Sequence, residues 1–122
     1  MAIRQEQVTN LVTDLAAKAS IDVLSTLTYA ATTNLDFNND NIKTLTLTGN
    51  VTFTTSNKAA IKQKVIRIIG DSSARTFTFP VGWVFIGSGM PASIATGKTA
   101  ILSLYCFGSN ETDIVAAYSV QP

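Results

Sequence analysis

Hydrophobic and polar positions alternate most clearly from Lys43 to Asn57, KTLTLTGNVTFTTSN, where threonine takes turns with a large apolar residue on both sides of a Gly-Asn step. Period-two alternation of this kind marks β-strands with one buried face. Leu45, Leu47, Val51 and Phe53 share one parity if the loop between them is odd. A strict two-residue hairpin would instead mix threonines and large apolar groups on each face, because a one-residue slip reverses every side chain. The pattern therefore predicts an odd loop, with Asn50 suited to a left-handed ending, or two strands that do not pair with each other. In either case Thr46 and Thr52 face outward. A threonine-rich outer face suits contact with neighbouring subunits as well as water.

The rest of the chain carries shorter versions of the same signal. Val8, Leu11, Val12, Leu15 and Ala19 instead fall at helical spacing and predict an amphipathic helix over residues 3–20. Thr9 and Asn10 are candidate caps, and Lys18 suits the C-terminal end. Strands are expected near Leu27–Tyr29, at Asn34–Phe37 with Leu35 and Phe37 on one face, and at Ile61–Ile69 with Ile66 and Ile68 together. Others are expected at Arg75–Phe79, ended by Pro80, at Trp83–Ile86 and at Ser93–Ala95. A hairpin of Thr99–Phe107 with Asp113–Val120 closes the series over Gly108-Ser109-Asn110. About eight short strands with turn signals between them predict a mainly β protein, an antiparallel β-sandwich or jelly-roll-like domain with a short N-terminal α-helix. The division expected is 1–23 for the helix and connector and 24–122 for the β domain. No internal repeat is visible.

Composition narrows the function classes. The 122 residues carry a net charge of +1 with few charged side chains, so no electrostatic footprint for nucleic acid is present. No run is long and apolar enough to predict a membrane-spanning helix, and the opening MAIRQEQ predicts no signal peptide. The absence of histidine removes the commonest general base and metal ligand. The single Cys106 leaves no intrachain disulfide, and its setting among Leu104, Tyr105 and Phe107 predicts a packed thiol. Sparse charge with many threonines and apolar residues is what surface buried in an oligomer would need.

Three stretches invite chemistry. Ala92–Thr99, ASIATGKT, approaches a phosphate-binding loop, which works by aiming backbone N–H groups from a helix N-terminus at phosphates. The residues that follow, AILSLYCF, read as strand, so a polar turn is expected and a nucleotide site is the remote alternative. Asp36, Asn38 and Asp40 open like a calcium loop. Asn41 and Leu47 stand where that loop needs glycine and glutamate, which leaves a turn or a looser cation site. Trp83, with Tyr29, Tyr105 or Tyr118, is a candidate sugar-stacking platform, although aromatics on strands are more often core or interface. No catalytic residue, cofactor or metal ligand set is expected.

The stretch QVTNLVTDLAAKA resembles the short helical segments of tailed-bacteriophage fibre proteins. LTYAATTNLDFNNDNIKTLTLTGNVTFT, ARTFTFPVGW, SLYCF and YSV resemble a β domain of phage virion proteins. The resemblance implies a non-enzymatic virion protein, a homotrimeric head-fibre or tail-fibre module or a capsid decoration that contacts other virion proteins of capsid or tail. Without an extended shaft, a short head fibre or decoration is as compatible as a tail fibre. Val8, Leu11, Val12 and Leu15 would then serve trimerisation or docking. The alternative is a host-attachment module that binds surface glycan, with Trp83 in contact with the sugar.

Overall fold

The structure is a computed structural model and describes residues 25–39 and 41–122. The expected N-terminal helix, with Val8, Leu11, Val12 and Leu15, lies outside the described residues. Ten strands are present among the described residues: β1 (Ser25–Leu27), β2 (Thr32–Asp36), β3 (Ile42–Thr46), β4 (Val51–Ser56), β5 (Gln63–Ile69), β6 (Arg75–Thr78), β7 (Val84–Ile86), β8 (Ser93–Ile94), β9 (Thr99–Cys106) and β10 (Ile114–Val120). They form two mixed sheets. The large sheet runs β1-β3-β5-β9-β10-β7 and the small one β2-β4-β6-β8.

From β1 to β6 the chain changes sheet at every strand. Parallel partners are consequently one turn of a coil apart: β1 with β3, β3 with β5, β2 with β4, and β4 with β6. Parallel strands need a long crossover, and here each crossover is a strand of the opposite sheet. The expected antiparallel architecture is thus corrected. Five of the eight pairings are parallel; β9 with β10, β5 with β9, and β6 with β8 are antiparallel. A jelly roll is built from antiparallel Greek keys, which the coiled half does not form. The expected hairpin of β9 and β10 is present, with a short 3-10 turn at Glu111–Asp113 before β10. Gly108 is required beside that turn, because a Cβ there would come within 2.3 Å of Asp113 Oδ2.

The core lies between the sheets. Leu45, Leu47, Val51 and Phe53 are all buried, while Thr46 is exposed and Thr52 half-buried. Their shared parity holds because β3 and β4 do not pair: the corner 47–50 carries the chain from one sheet to the other. Positive φ among the described residues falls at Asn57, Ile61 and four glycines, not at Asn50, so this corner has no need of the left-handed ending a hairpin would want. Tyr29 closes it by donating its hydroxyl to Asn50 O at 2.7 Å. Any side chain at Gly49 would strike that tyrosine, whose oxygen sits 2.3 Å from where a Cβ would be. Leu35, Phe37, Ile66 and Ile68 are buried as their spacing predicts. Phe53, Phe77, Phe79, Trp83 and Phe85 form an aromatic layer with ring centroids 5.0–6.2 Å apart, within the range of favourable aromatic contacts.

Candidate functional site

The residues singled out by sequence are dispersed by the fold. Trp83 is 9% exposed, stands in the aromatic layer, and donates its indole N–H to Glu111 Oε2 at 2.6 Å. It therefore offers no open ring face to a sugar, and the expected glycan contact at this residue is corrected. Glu111 is the centre of this end of the molecule. Its other oxygen accepts from the Thr55 hydroxyl and lies 3.4 Å from Lys58 Nζ, which itself donates to Thr55 Oγ1 at 2.9 Å. The cluster ties the β9–β10 turn to the end of β4 and to the tryptophan. Only tertiary contact brings Glu111 to these partners, so no local spacing announced it.

The glycine-rich stretch Ala92–Thr99 is β8, a turn and the first residue of β9. No helix follows it. The donors at its glycine turn are spent within the protein: Gly97 N–H donates to Asp71 O at 2.9 Å and Lys98 N–H to Ala95 O at 3.2 Å. Lys98 Nζ reaches Pro122 O at 2.7 Å. The polar-turn reading of the sequence stands. Near Asp71 the guanidinium of Arg75 grips both carboxylate oxygens, at 2.9 and 2.6 Å, and holds that carboxyl below its usual range.

Asp36 accepts from Asn57 Nδ2 at 2.8 Å and from the Asn38 N–H at 2.9 Å. These bonds, the Asn57 one first, hold its carboxyl below the ordinary value, and the charges of Lys64 and Lys43 add to the effect. Lys64 is 1% exposed, a cation carried on the inward parity of β5 beside Ile66 and Ile68. Two buried lysines near this carboxylate oppose a cation at the Asp36–Asn38 turn. Asp40 lies outside the described residues, among which no group of three metal-ligating side chains is found. Cys106 is buried, and burial pushes its thiol pKa up, the opposite of what a nucleophile needs.

What remains is surface, and the two outer faces differ in kind. On the small sheet the outward positions are Thr32, Asn34, Asp36, Thr52, Thr54, Ser56, Thr76, Thr78 and Ser93. Thr32, Thr52 and Thr78 stand in one row across three strands. In the next row Asn34 receives the Thr54 hydroxyl at 3.1 Å and donates to Ser56 Oγ at 2.9 Å. On the large sheet the outward positions mix Ile42, Val65, Ile101, Tyr105, Val115, Val84 and Ile86 with Thr44, Thr46, Gln63, Arg67, Thr99, Ser103 and Ser119. Registers join them: Ile42 to Val65, Tyr105 to Val115, and Val115 to Val84. Sequence parity found the outward threonines of β3 and β4 but not the exposed apolar positions of the large sheet, whose shared face follows from the pairing.

Comparison of the chain with protein-family models, curated proteins and solved structures finds no match.

Proposed function

We propose that the chain is a non-enzymatic structural protein of a bacteriophage virion, a head-fibre or tail-fibre module or capsid decoration that assembles as a trimer. The observation that carries this reading is the contrast between its outer faces. One carries the exposed apolar side chains Ile42, Val84, Ile86, Ile101 and Tyr105 among threonines, serines, Gln63 and Arg67, the other is a hydrogen-bonded lattice of threonine, asparagine and serine, and they lie on opposite sides of one coiled β body. A coiled β body with exposed apolar side chains on one face and a self-bonded polar face on the other is suited to an appendage that meets other copies. The N-terminal stripe of Val8, Leu11, Val12 and Leu15 supplies a second element for trimerisation or for docking on capsid or tail. Fewer than three heptads do not hold a helix alone in water, so the stripe needs either partner copies or a larger surface.

The test is the mass of the full chain in solution, followed by its recovery on purified particles. Light scattering should return three times the 13.0 kDa chain mass, and the trimer should co-sediment with virions assembled without it. A chain that stays at 13.0 kDa and does not load onto particles would contradict the proposal.

A further inference from the structure

The structure assigns a binding site for a neutral saccharide to the cleft between the end of β10 and the loop that joins β7 to β8. This goes beyond the virion reading and does not depend on the trimer. The site arises from unequal sheets. Six strands on one side face four on the other, so β10 and β7 lack a full layer opposite them. Under the first half of β10 the space is filled by rings. Phe79, Trp83 and Phe85 lie with centroids 5.0–6.1 Å apart, and Phe85 stands level with Ala116. Beyond Ala116 the filling stops short. Tyr118 and Val120 keep the inward parity of Ile114 and Ala116, yet Tyr118 is half-buried and Val120 45% exposed. They line an open cleft of about 460 Å³ together with Met90, Pro91 and the exposed Ser88 and Ser93. That size falls within the ~300–1,000 Å³ of small-ligand clefts.

The second observation is a hydroxyl without a partner. Tyr118 Oη is buried and bonds to no group among the described residues. Buried polar groups are nearly always paired, and each exception calls for a partner or a role. The ring stands edge-on to Phe77, with centroids 5.8 Å apart and planes at 70°, so packing fixes where the phenol lies. Burial pushes its pKa up, which keeps it protonated and a donor. The loop 87–92 at the mouth is lightly packed. Gly87 and Gly89 hold φ of 76° and 89°, no atom of the described chain lies within 4 Å of where their Cβ atoms would stand, and Met90 is 66% exposed. Its far end is pinned where Phe77 N–H donates to Ala92 O at 2.9 Å. A ligand can therefore shift the loop and reach the hydroxyl without breaking core contacts.

Chemistry selects the ligand. No acidic or basic side chain, among the described residues, lines the cleft. A charged ligand would leave water with no counter-charge to meet it, which excludes sialic and uronic acids, nucleotides and phosphates. A purely apolar ligand would leave the Tyr118 hydroxyl unpaired. A neutral sugar ring meets both halves of the site: its oxygens accept from the phenol, and its C–H face lies on Met90, Pro91 and Val120. Trp83 takes no part.

The experiment is a titration of the full chain with glucose, galactose and N-acetylglucosamine, followed by amide NMR shifts, with sialic acid as the charged probe. The expected result is that at least one neutral sugar shifts Gly89, Met90 and Val120 in a saturable way, and sialic acid does not. Tyr118→Phe should weaken that binding about tenfold, as for the loss of one hydrogen bond. It should also raise the urea midpoint of the sugar-free protein, because an unpaired buried hydroxyl is removed; a merely structural tyrosine would not move the two readouts in opposite directions. Should Tyr118→Phe not fold, Ser88→Trp, which fills the mouth from an exposed position, replaces it with the same expected loss of sugar. The site is overturned if no neutral sugar gives saturable shifts, if Tyr118→Phe binds as wild type does, or if sialic acid binds equally well. A monomer that binds sugar leaves this site standing while contradicting the trimer.

Discussion

The two outer faces are made by the same alternation and yet differ in what they leave exposed. On the small sheet every second residue is threonine, asparagine or serine, except Asp36 at the end of β2. Thr54, Asn34 and Ser56 bond to one another across strands, so the face is satisfied both by itself and by water. On the large sheet exposed Ile42, Val84, Ile86, Ile101 and Tyr105 stand among Thr44, Thr46, Gln63, Arg67 and Ser103, and burial of the apolar ones contributes about 1.5–3 kcal/mol each when water is removed. Both faces share one inner layer. The comparison teaches that parity decides what is core, while the chemistry of the opposite parity decides what the molecule can meet.

The largest expected effect lies where the two sheets share that layer. Phe53→Ala should cost about 3–5 kcal/mol, the range for a buried aromatic truncated in a core, whereas Thr54→Ala, its neighbour on the outer parity, should cost about 1 kcal/mol through its bond to Asn34. Urea midpoints of the two variants measure the ratio. Equal costs would mean that parity does not divide the strand as described. Next comes the clamp at Glu111. Glu111→Ala removes the partner of the Trp83 indole, Thr55 and Lys58 and should cost about 2 kcal/mol, as for hydrogen bonds to a charged group.

Smaller effects separate the faces. Ile61→Asn should stabilise the isolated domain by about 1 kcal/mol, since asparagine tolerates positive φ far better than isoleucine, and at the same time weaken assembly. A variant that is both less stable and equally associated would remove the strain argument. The smallest effect is one of pH. The carboxyls of Asp36 and Asp71 are both depressed, so the folded state binds their protons more weakly than the unfolded chain does. Their contribution is therefore full above the ordinary value of 3.8 and is lost as pH falls below it through the lowered values. Asp36→Asn should flatten the stability profile below about pH 4 and leave it unchanged at pH 7. A variant with an unaltered acid limb would deny Asp36 that role.

Much of the fold was legible in the sequence. The buried parity of Leu45, Leu47, Val51 and Phe53, the inward Ile66 and Ile68, the end of β6 before Pro80 and the closing hairpin all follow from local periods and turn residues. The pairing was not. Alternation tells inside from outside but not whether a strand bonds to the next strand or to the next but one, and in this chain the short corners change sheet instead of reversing within one. The coil escaped notice as a repeat because its turns differ in length and share no common motif. Trp83 shows the same limit from the side of function. An aromatic at a strand end reads alike whether it faces solvent or core, and the partner that decides, Glu111, is far away along the chain. The candidate surface itself was half legible: the threonine parity was plain, while the apolar face emerged only once β5, β9, β10 and β7 lay side by side.

The contrast between the faces is tested most directly by thiol labelling at a matched pair of positions in the full chain. Ser103→Cys puts a thiol at the middle of the large sheet's outer face, beside Val65 and Ala117 in register. Thr54→Cys puts one on the threonine face. Cys106 is buried and serves as the slow internal reference. The account predicts that a hydrophilic maleimide labels the Thr54→Cys thiol at the rate of an open thiol, and the Ser103→Cys thiol at least tenfold more slowly at concentrations where the chain is assembled, with protection lost on dilution. Equal and rapid labelling of both thiols under assembling conditions would contradict it.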